Sequence, residues 1–425
     1  MRRYESYKDS GVEWLGEVPS HWEISSLGKI LLSVSEKNRP DLPLLSITRE
    51  LGVIERDTEN QDSNHNFIPD DLSNYKILKK GQFGMNKMKA WQGSYGVSDF
   101  TGIVSPAYYI FDFIKSINPQ FFHWAIRSKI YVSFFGSASD GVRIGQWDLS
   151  KSRMKSIPFI IPSNDEQQKI AQFLDDKTAK IDQAVDWAEK QIALLKEHKQ
   201  ILIQNAVTRG LNPDVPLKDS GVEWIGQVPD HWEVSSLGKM LLPVSEKNKP
   251  NLPLLSITRE LGVIERDVED QESNHNFIPD DLSNYKVLKE GQFGMNKMKA
   301  WQGSYGVSRF TGIVSPAYYI FDFIKSVNPR FFHWAIRSKI YISFFGSASD
   351  GVRIGQWDLS KSRMKSIPFI IPSYTEQVQI ADYLDQQAVK IDQAIALKTA
   401  HIEKLKEYKS VLINDVVTGK VRVSV

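Results

Sequence analysis

Residues 163–209 read SNDEQQKIAQFLDDKTAKIDQAVDWAEKQIALLKEHKQILIQNAVTR. From 164 to 208 there is no proline or glycine, and Ser163 with Glu166 has the spacing of a capping box, in which the two side chains satisfy free amides at a helix start. Leu174, Thr178, Ile181, Val185, Ala188, Ile192, Leu195, Lys199 and Leu202 follow by alternating steps of four and three, the seam of a coiled coil. A second segment opens on Ser373 and Glu376 and keeps the register: Leu384, Ala388, Ile391, Ile395, Lys398, Ile402, Leu405, Lys409 and Leu412. Each helix is expected to run roughly 60–67 Å at about 1.5 Å per residue. Gly210, Pro213 and Pro216 end the first. Connectivity sets how the two pair: the second helix starts beyond the end of the first and must run back along it to bury its seam. The expectation is an antiparallel coiled coil.

The segments that precede these helices are two copies of one unit. Residues 8–163 recur at 218–373, an offset of 210 with no insertion or deletion and 17 mismatches in 156 positions, mostly mild ones such as Leu15 against Ile225 or Arg39 against Lys249. Such a period is too long for a solenoid or propeller. Two whole heads follow, sharing one fold and one surface, so that whatever one binds the other binds too. The predicted architecture is a dumbbell with pseudo-twofold symmetry, its near-identical α/β or α+β heads held apart by the coiled coil. Its segments are a first head at 1–163, a spacer helix at 164–210, a second head at 211–373, and a second helix with a tail at 374–425.

Within a head, Leu44–Thr48 and Val53–Arg56 around Arg49-Glu-Leu-Gly52 predict a hairpin, and Gly102–Phe113 and Ser156–Ile161 further strands. Asn118-Pro119 followed by Phe122, Ile126 and Ile130 predicts a capped helix with proline in its first turn.

Composition narrows the function classes. The chain is 41% apolar, so it can build sizeable cores, and its net charge of +2 confines any nucleic-acid surface to a local patch. It has no cysteine, which removes disulfides, thiolate zinc sites and cysteine nucleophiles. No apolar run approaches the ~20 residues of a membrane span. The opening Met1-Arg-Arg-Tyr-Glu-Ser-Tyr-Lys8 lacks a signal-peptide core, so the expected location is cytoplasmic, with no membrane partner.

Catalytic motifs are missing: no phosphate loop, dinucleotide-type Gly-x-Gly-x-x-Gly, Gly-x-Ser-x-Gly elbow, His-Glu-x-x-His pair or Asn/Asp-Pro-Pro-Tyr/Phe signature of an amino-methyltransferase. A nuclease reading of Asp70 or Asp71 with Glu197-His198-Lys199 fails, because Lys199 lies on the seam and the acids belong to a Pro-Asp-Asp-Leu turn. The histidines at 21, 65 and 123 show no metal-ligand spacing, and His123, inside Phe121–Trp124, reads as structural. No catalytic or metal-binding residue is expected.

Each head does set basic and amide side chains among aromatics in two stretches, Asn86-Lys-Met-Lys-Ala-Trp-Gln-Gly-Ser94 and Gly141-Val-Arg-Ile-Gly-Gln-Trp147 with Lys151-Ser-Arg-Met-Lys155. Arg, Lys and Gln hydrogen-bond base edges in the major groove, and further Lys and Arg neutralise phosphates. The candidate DNA-contacting residues are Lys87, Lys89, Gln92, Arg143, Gln146, Lys151 and Arg153, with their copies Lys297, Lys299, Gln302, Arg353, Gln356, Lys361 and Arg363. On chemistry alone, solvated loops or an adaptor bridging two proteins remain alternatives. Twofold-related heads favour a reader of two half-sites on a duplex. Two differences between the copies reverse charge, Lys80 against Glu290 and Asp99 against Arg309, and Asp99 lies just beyond the first stretch, where a reversed charge could shift phosphate affinity.

The run YKDSGVEWLGEVPSHWE at 7–23, with its copy from Leu217 to Glu233, closely resembles the opening of the specificity subunits of type I restriction-modification enzymes. Gly93–Tyr108, with Gly102-Ile-Val-Ser-Pro-Ala-Tyr108, is similar to the middle of their target recognition domains. Gly141-Val-Arg-Ile-Gly-Gln-Trp-Asp-Leu149, leading through Ile157-Pro and Ile161-Pro to Glu166-Gln167 and the heptads, is similar to their close. The resemblance implies a non-catalytic subunit that binds double-stranded DNA through two target recognition domains, each reading half of a split site. It further implies two methyltransferase subunits and motor-nuclease subunits as partners, which carry the S-adenosylmethionine, ATP and Mg; no cofactor is expected on this chain. Family members typically combine two different recognition domains with similar helices. Here the heads match at 139 of 156 positions and the helices at about 20 of 48.

Overall fold

The computed structural model describes residues 2–57, 68–114, 116–143, 146–267, 278–324, 326–348, 350–353 and 356–423. Across 140–147 and 348–358 the description is limited to backbone pairing.

Chain order in the first head is β1 (Tyr7–Asp9), β2 (Glu17–Pro19), β3 (Glu23–Ser26), a helical turn α1 (Leu27–Ile30), β4 (Leu31–Val34), β5 (Leu45–Thr48), β6 (Gly52–Glu55), β7 (Lys76–Leu78) and β8 (Phe83–Met85). A short 3-10 helix at Lys87–Gln92 leads to β9 (Tyr95–Val97), β10 (Gly102–Val104) and β11 (Tyr109–Phe113). Then come α2 (Pro119–Ile126), α3 (Lys129–Ala138), β12 (Asp140–Arg143), β13 (Gln146–Asp148), α4 (Lys151–Ser156) and β14 (Pro158–Ile161), which enters the long helix α5 (Asn164–Arg209). The centre is a four-stranded antiparallel sheet in the order β4-β11-β8-β9, with two-stranded pairs β1-β2, β3-β14, β5-β6, β7-β10 and β12-β13 around it. The second head repeats every pairing at plus 210.

The central strands β8, β9 and β11 place Phe83, Tyr95 and Phe111 in one aromatic core. Phe83, Phe111, Phe121, Phe122, Phe135, Phe159, Tyr95 and Tyr131 are fully buried. Phe83 meets Phe122 edge-on at 5.1 Å and Phe122 meets Phe159 tilted at 5.0 Å, while Phe83 and Phe111 stack at 5.9 Å. Gly102 has no room for a side chain, since a Cβ there would stand 2.4 Å from the Pro43 carbonyl that its neighbour Ile103 bonds through N–H at 2.9 Å.

The predicted hairpin is β5-β6, paired from Leu45 opposite Glu55 to Thr48 opposite Gly52. Two sequence expectations need correction. Gly102–Phe113 is not one strand: Ser105-Pro106 starts a turn closed by Tyr108 N–H to Ser105 C=O at 3.0 Å, and its halves, β10 and β11, join different sheets. The helix from Asn118 does not reach Ile130 either. It is capped as expected, the Asn118 side chain accepting from Phe121 N–H at 2.9 Å, but it stops at Ile126, and Ile130 belongs to α3. At that break the Ser128 hydroxyl takes the Ala125 carbonyl at 2.7 Å, a local bond that competes with continued helix.

The chain divides into two compact units, Met1–Ala188 with Ala400–Val425, and Glu189–Thr399. Both boundaries fall inside the long helices, α5 and the C-terminal helix Tyr374–Val417. Each unit is thus a head sealed by the beginning of one long helix and the end of the other. In the first, Ile170, Ala171 and Leu174 of α5 share the core with Leu412, Val416 and Val417 of the C-terminal helix. In the second, Ile380, Ala381 and Leu384 share it with Ile203, Ala206 and Val207. Within each unit the helices run antiparallel on the predicted seam. Every seam residue is buried or half-buried, and the seam lysines reach across, Lys409 to Asp182 at 2.6 Å in the first unit and Lys199 to Asp392 at 2.7 Å in the second.

Capping boxes form as read. Glu166 accepts from Ser163 N–H at 3.3 Å, and its own N–H reaches the Ser163 hydroxyl at 3.3 Å. The same carboxylate receives His21 Nε2 at 3.0 Å and Trp22 Nε1 at 3.4 Å, which ties β2 and β3 to the helix start. Gln167 is fully buried, donating to Pro162 C=O at 2.9 Å and accepting from Asn118 N–H at 2.8 Å. Gln377 repeats both bonds in the second unit. At its far end α5 stops on Gly210, held at φ +76°, a left-handed value that costs glycine little.

Candidate nucleic-acid interface

Asn86, at the end of β8, turns the chain out of the sheet. Its side chain accepts from Met88 N–H at 3.2 Å to cap the 3-10 helix, which ends on Gly93 at φ +89°. The loop closes on itself through Asn86 N–H to Ser94 C=O at 2.9 Å, so Lys87, Lys89 and Gln92 project from a braced turn. Lys89 is exposed; Lys87 and Gln92 are half-buried.

The second stretch folds onto this one. Leu149 N–H donates to Lys87 C=O at 3.3 Å, and Lys87 Nζ lies 3.2 Å from Asp148. Sixty-one residues apart in sequence, Lys87 and Asp148 become neighbours because β13 packs beside the 3-10 helix. Arg143 and Gln146 face each other in register across the β12-β13 hairpin, as do Arg353 and Gln356 in the copy; their side chains lie outside the described residues. On α4, exposed Lys151 holds its Nζ 4.9 Å from the Tyr109 ring centroid and 2.9 Å from Ser33 Oγ, and Arg153 reaches Ala138 C=O at 3.4 Å. In the second head Leu359 N–H bonds Lys297 C=O at 3.3 Å, Lys299 is exposed, Gln302 is half-buried, and Lys361 stands 5.0 Å over Tyr319. Arg363 is exposed. Ser33 is replaced there by Pro243, so the hydroxyl that steadies Lys151 has no counterpart.

Three groups at this surface escape a reading of the sequence. Lys76, which starts β7, sends its Nζ to Tyr108 C=O at 2.6 Å, and Lys37 is its backbone bridge partner. Partial burial, and then the charges of Lys151, Lys37 and Lys87, hold the Lys76 pKa below the usual lysine value. Lys286 repeats this with Tyr318 C=O at 2.7 Å, below its usual pKa for the same reasons, with Lys361, Lys247 and Lys297 around it. The third is Arg127, just past α2. One Nη bonds Tyr95 C=O at 2.6 Å, and the other bonds Arg49 and Glu50 C=O at 2.9 and 2.7 Å, pinning the β5-β6 turn to the end of the Lys87 loop. A basic residue after a helix carries no sequence signal for that task.

His123 is structural, as expected. Its Nδ1 accepts from Val97 N–H at 3.3 Å, and burial together with the Arg127 charge lowers its pKa to about 4, which keeps it neutral. His65 lies outside the described residues. Among the described residues no cluster of His, Asp and Glu has metal-ligating geometry, and no helix is long and apolar enough to cross a membrane. Asp71 caps its own turn, accepting from Ser73 N–H at 2.8 Å, and Lys199 is engaged with Asp392.

Charge reversals between the heads lie elsewhere. Glu290 and Arg309 line one cleft of about 390 Å³ with Arg330, His333, Trp334 and Asp385. Because Lys80/Asp99 becomes Glu290/Arg309, both signs change together and the pair stays neutral in each head.

Residues 19–185 match the family model described as the type I restriction modification DNA specificity domain. The chain is thus similar to the specificity subunits of type I restriction-modification systems. It is 22% identical to a protein of Methanocaldococcus jannaschii named for the type I restriction enzyme MjaX specificity subunit, over 96% of each chain. With the MjaVIII specificity subunit of the same organism it shares 25% identity over 69% of each. Two solved structures share the fold, both at 12% identity. A chain from a study of complex assembly and conformational transition of the type I R-M system aligns with a TM-score of 0.68 over 95% of this chain and 99% of that one. The HsdS subunit from Thermoanaerobacter tengcongensis aligns with a TM-score of 0.54 over 95% and 98%.

Proposed function

We propose that this chain reads DNA for a type I restriction-modification enzyme. Each head contacts one half of a split duplex site through the surface where the Lys87 loop meets the β12-β13 hairpin and α4. The observation that carries the reading is that convergence: two basic, amide-bearing stretches far apart in sequence are bonded together in both heads. Arg143, Gln146 and Gln92, with Arg353, Gln356 and Gln302, are assigned to base edges, and Lys87, Lys89, Lys151 and Arg153 with Lys297, Lys299, Lys361 and Arg363 to phosphates and base edges. The chain performs no catalysis. It scaffolds two methyltransferase subunits and the motor-nuclease subunits, which bring S-adenosylmethionine, ATP and Mg, and it works in the cytoplasm.

Selection from a random duplex pool by the chain together with its methyltransferase tests this. The reading expects enrichment of one split site, and recovery of a random pool would overturn it. Arg143→Ala with Arg353→Ala then sorts roles: discrimination at one position per half-site should relax by about 1–3 kcal/mol. A loss of affinity uniform across sequences would reassign both arginines to phosphates.

A further inference from the structure

We propose that Lys37, Lys76, Lys87 and Lys151 form a single clamp for a backbone phosphate of nucleic acid, and that Lys247, Lys286, Lys297 and Lys361 form its copy on the second head. The proposal rests on the DNA-binding reading and names the ligand chemistry of part of that surface.

Four elements meet there. The β7 start carries Lys76 and bridges the backbone of Lys37, Lys87 follows β8, and Lys151 begins α4. β11 joins them, because its Tyr109 pairs with Met85 beside Lys87, gives its ring to Lys151, and follows Tyr108, whose carbonyl takes Lys76.

The choice of partners points to an anion from outside. Where a protein sets cations side by side for structural reasons, carboxylates normally interleave with them; here Asp148, on Lys87, is the one carboxylate paired with any of the four among the described residues. Lys76 and Lys151 are instead held by neutral acceptors, a carbonyl, a hydroxyl and a ring face. Such contacts fix an ammonium group in place and leave its charge uncompensated. Partial burial is the main reason that Lys76 holds its proton less tightly, and repulsion from Lys151, Lys37 and Lys87 adds to it; a phosphodiester entering among them relieves that repulsion. The second head keeps the arrangement through Lys286 on Tyr318 and Lys361 on Tyr319.

The test uses the full chain with its methyltransferase and measures duplex affinity against salt concentration, since each neutralised phosphate contributes about 0.9 to the slope of log K against log salt. Lys76→Met with Lys286→Met keeps the aliphatic stems and removes the charges. The slope should fall by about 2, one phosphate per head, while the bases selected from a random pool stay the same. Lys37→Ala with Lys247→Ala, at exposed positions that leave the fold intact, should act in the same direction. An unchanged slope in both variants while the wild type selects its site overturns the clamp and leaves the DNA reading standing. A change in selected bases also overturns it, by making these lysines readers of sequence. Wild-type binding with a normal slope but no base preference defeats the specificity reading alone, and no duplex binding at any salt defeats both.

Discussion

His123 shows how one buried group ties the stability of a head to pH. Its pKa falls from 6.5 unfolded to about 4 folded, because burial and Arg127 disfavour the imidazolium. The unfolded chain therefore binds the proton first. Stability is whole above about pH 6.5 and drains away as pH falls from there toward 4, by at most about 3 kcal/mol per head. His333 is shifted likewise, for the same leading reasons. Thermal unfolding of His123→Gln with His333→Gln across pH 4–8 should show a shallower loss over that window than the wild type, and parallel curves would show that the acid sensitivity arises elsewhere. Gln167 gives a second expectation at this scale. Truncation to alanine strands the Asn118 N–H and the Pro162 carbonyl in a dry site, and should cost about 2 kcal/mol or more in urea unfolding. An effect under about 0.5 kcal/mol would mean that water replaces the amide. Some of these residues announced themselves and others did not. Glu166 stands three places after a serine, a local relation that a linear reading detects. Lys76 acquires its meaning only from Lys37, its backbone bridge partner, and from Lys151 of α4, set over Tyr109, and Arg127 only from carbonyls it meets in space.

At the scale of elements, the two long helices were the most legible part of the chain, because a seam repeating every seven residues is a local pattern sustained over dozens of positions. The strands were less so. β10 and β11 share one apolar run, and what divides them is a turn at Ser105-Pro106 whose consequence, a switch of sheet, is set by distant partners. The seam carries an expectation of its own. Inserting one heptad into both helices keeps the apolar register and adds about 10 Å of helix. If the paired helices set the gap between half-sites, the unspecified spacer should lengthen by about three base pairs with the half-sites unchanged. Methylation mapping of the lengthened protein measures this, and an unchanged spacer would remove the helices from that role.

For the molecule as a whole, duplication constrains the target. The residues assigned to base edges are the same in both heads, and none of the 17 differences falls among them. If two equal readers approach the duplex from opposite directions, they see the same bases on opposite strands, and the site should be an interrupted palindrome. Methylation mapping that returned unrelated halves would show that specificity lies outside these loops. The Ser33-to-Pro243 exchange is expected to bear on affinity rather than on the bases chosen, since it changes what steadies a lysine and leaves the reading side chains alone.

The cross-seam pairs have a consequence for evolution. Lys199 with Asp392 and Lys409 with Asp182 are the same contact displaced by one period of 210 residues, so each long helix holds both halves of it. An in-frame deletion of one period leaves a single head followed by Tyr374–Val417, a helix that carries Asp392 and Lys409 together. Two such shortened chains can restore, between molecules, the bond that the full chain makes within itself. Sedimentation of the deletion product should find a dimer that Lys409→Glu weakens and that adding Asp392→Lys restores. A gene that loses half its length in this way would keep its assembly, and the duplicated chain can be understood as that dimer made covalent.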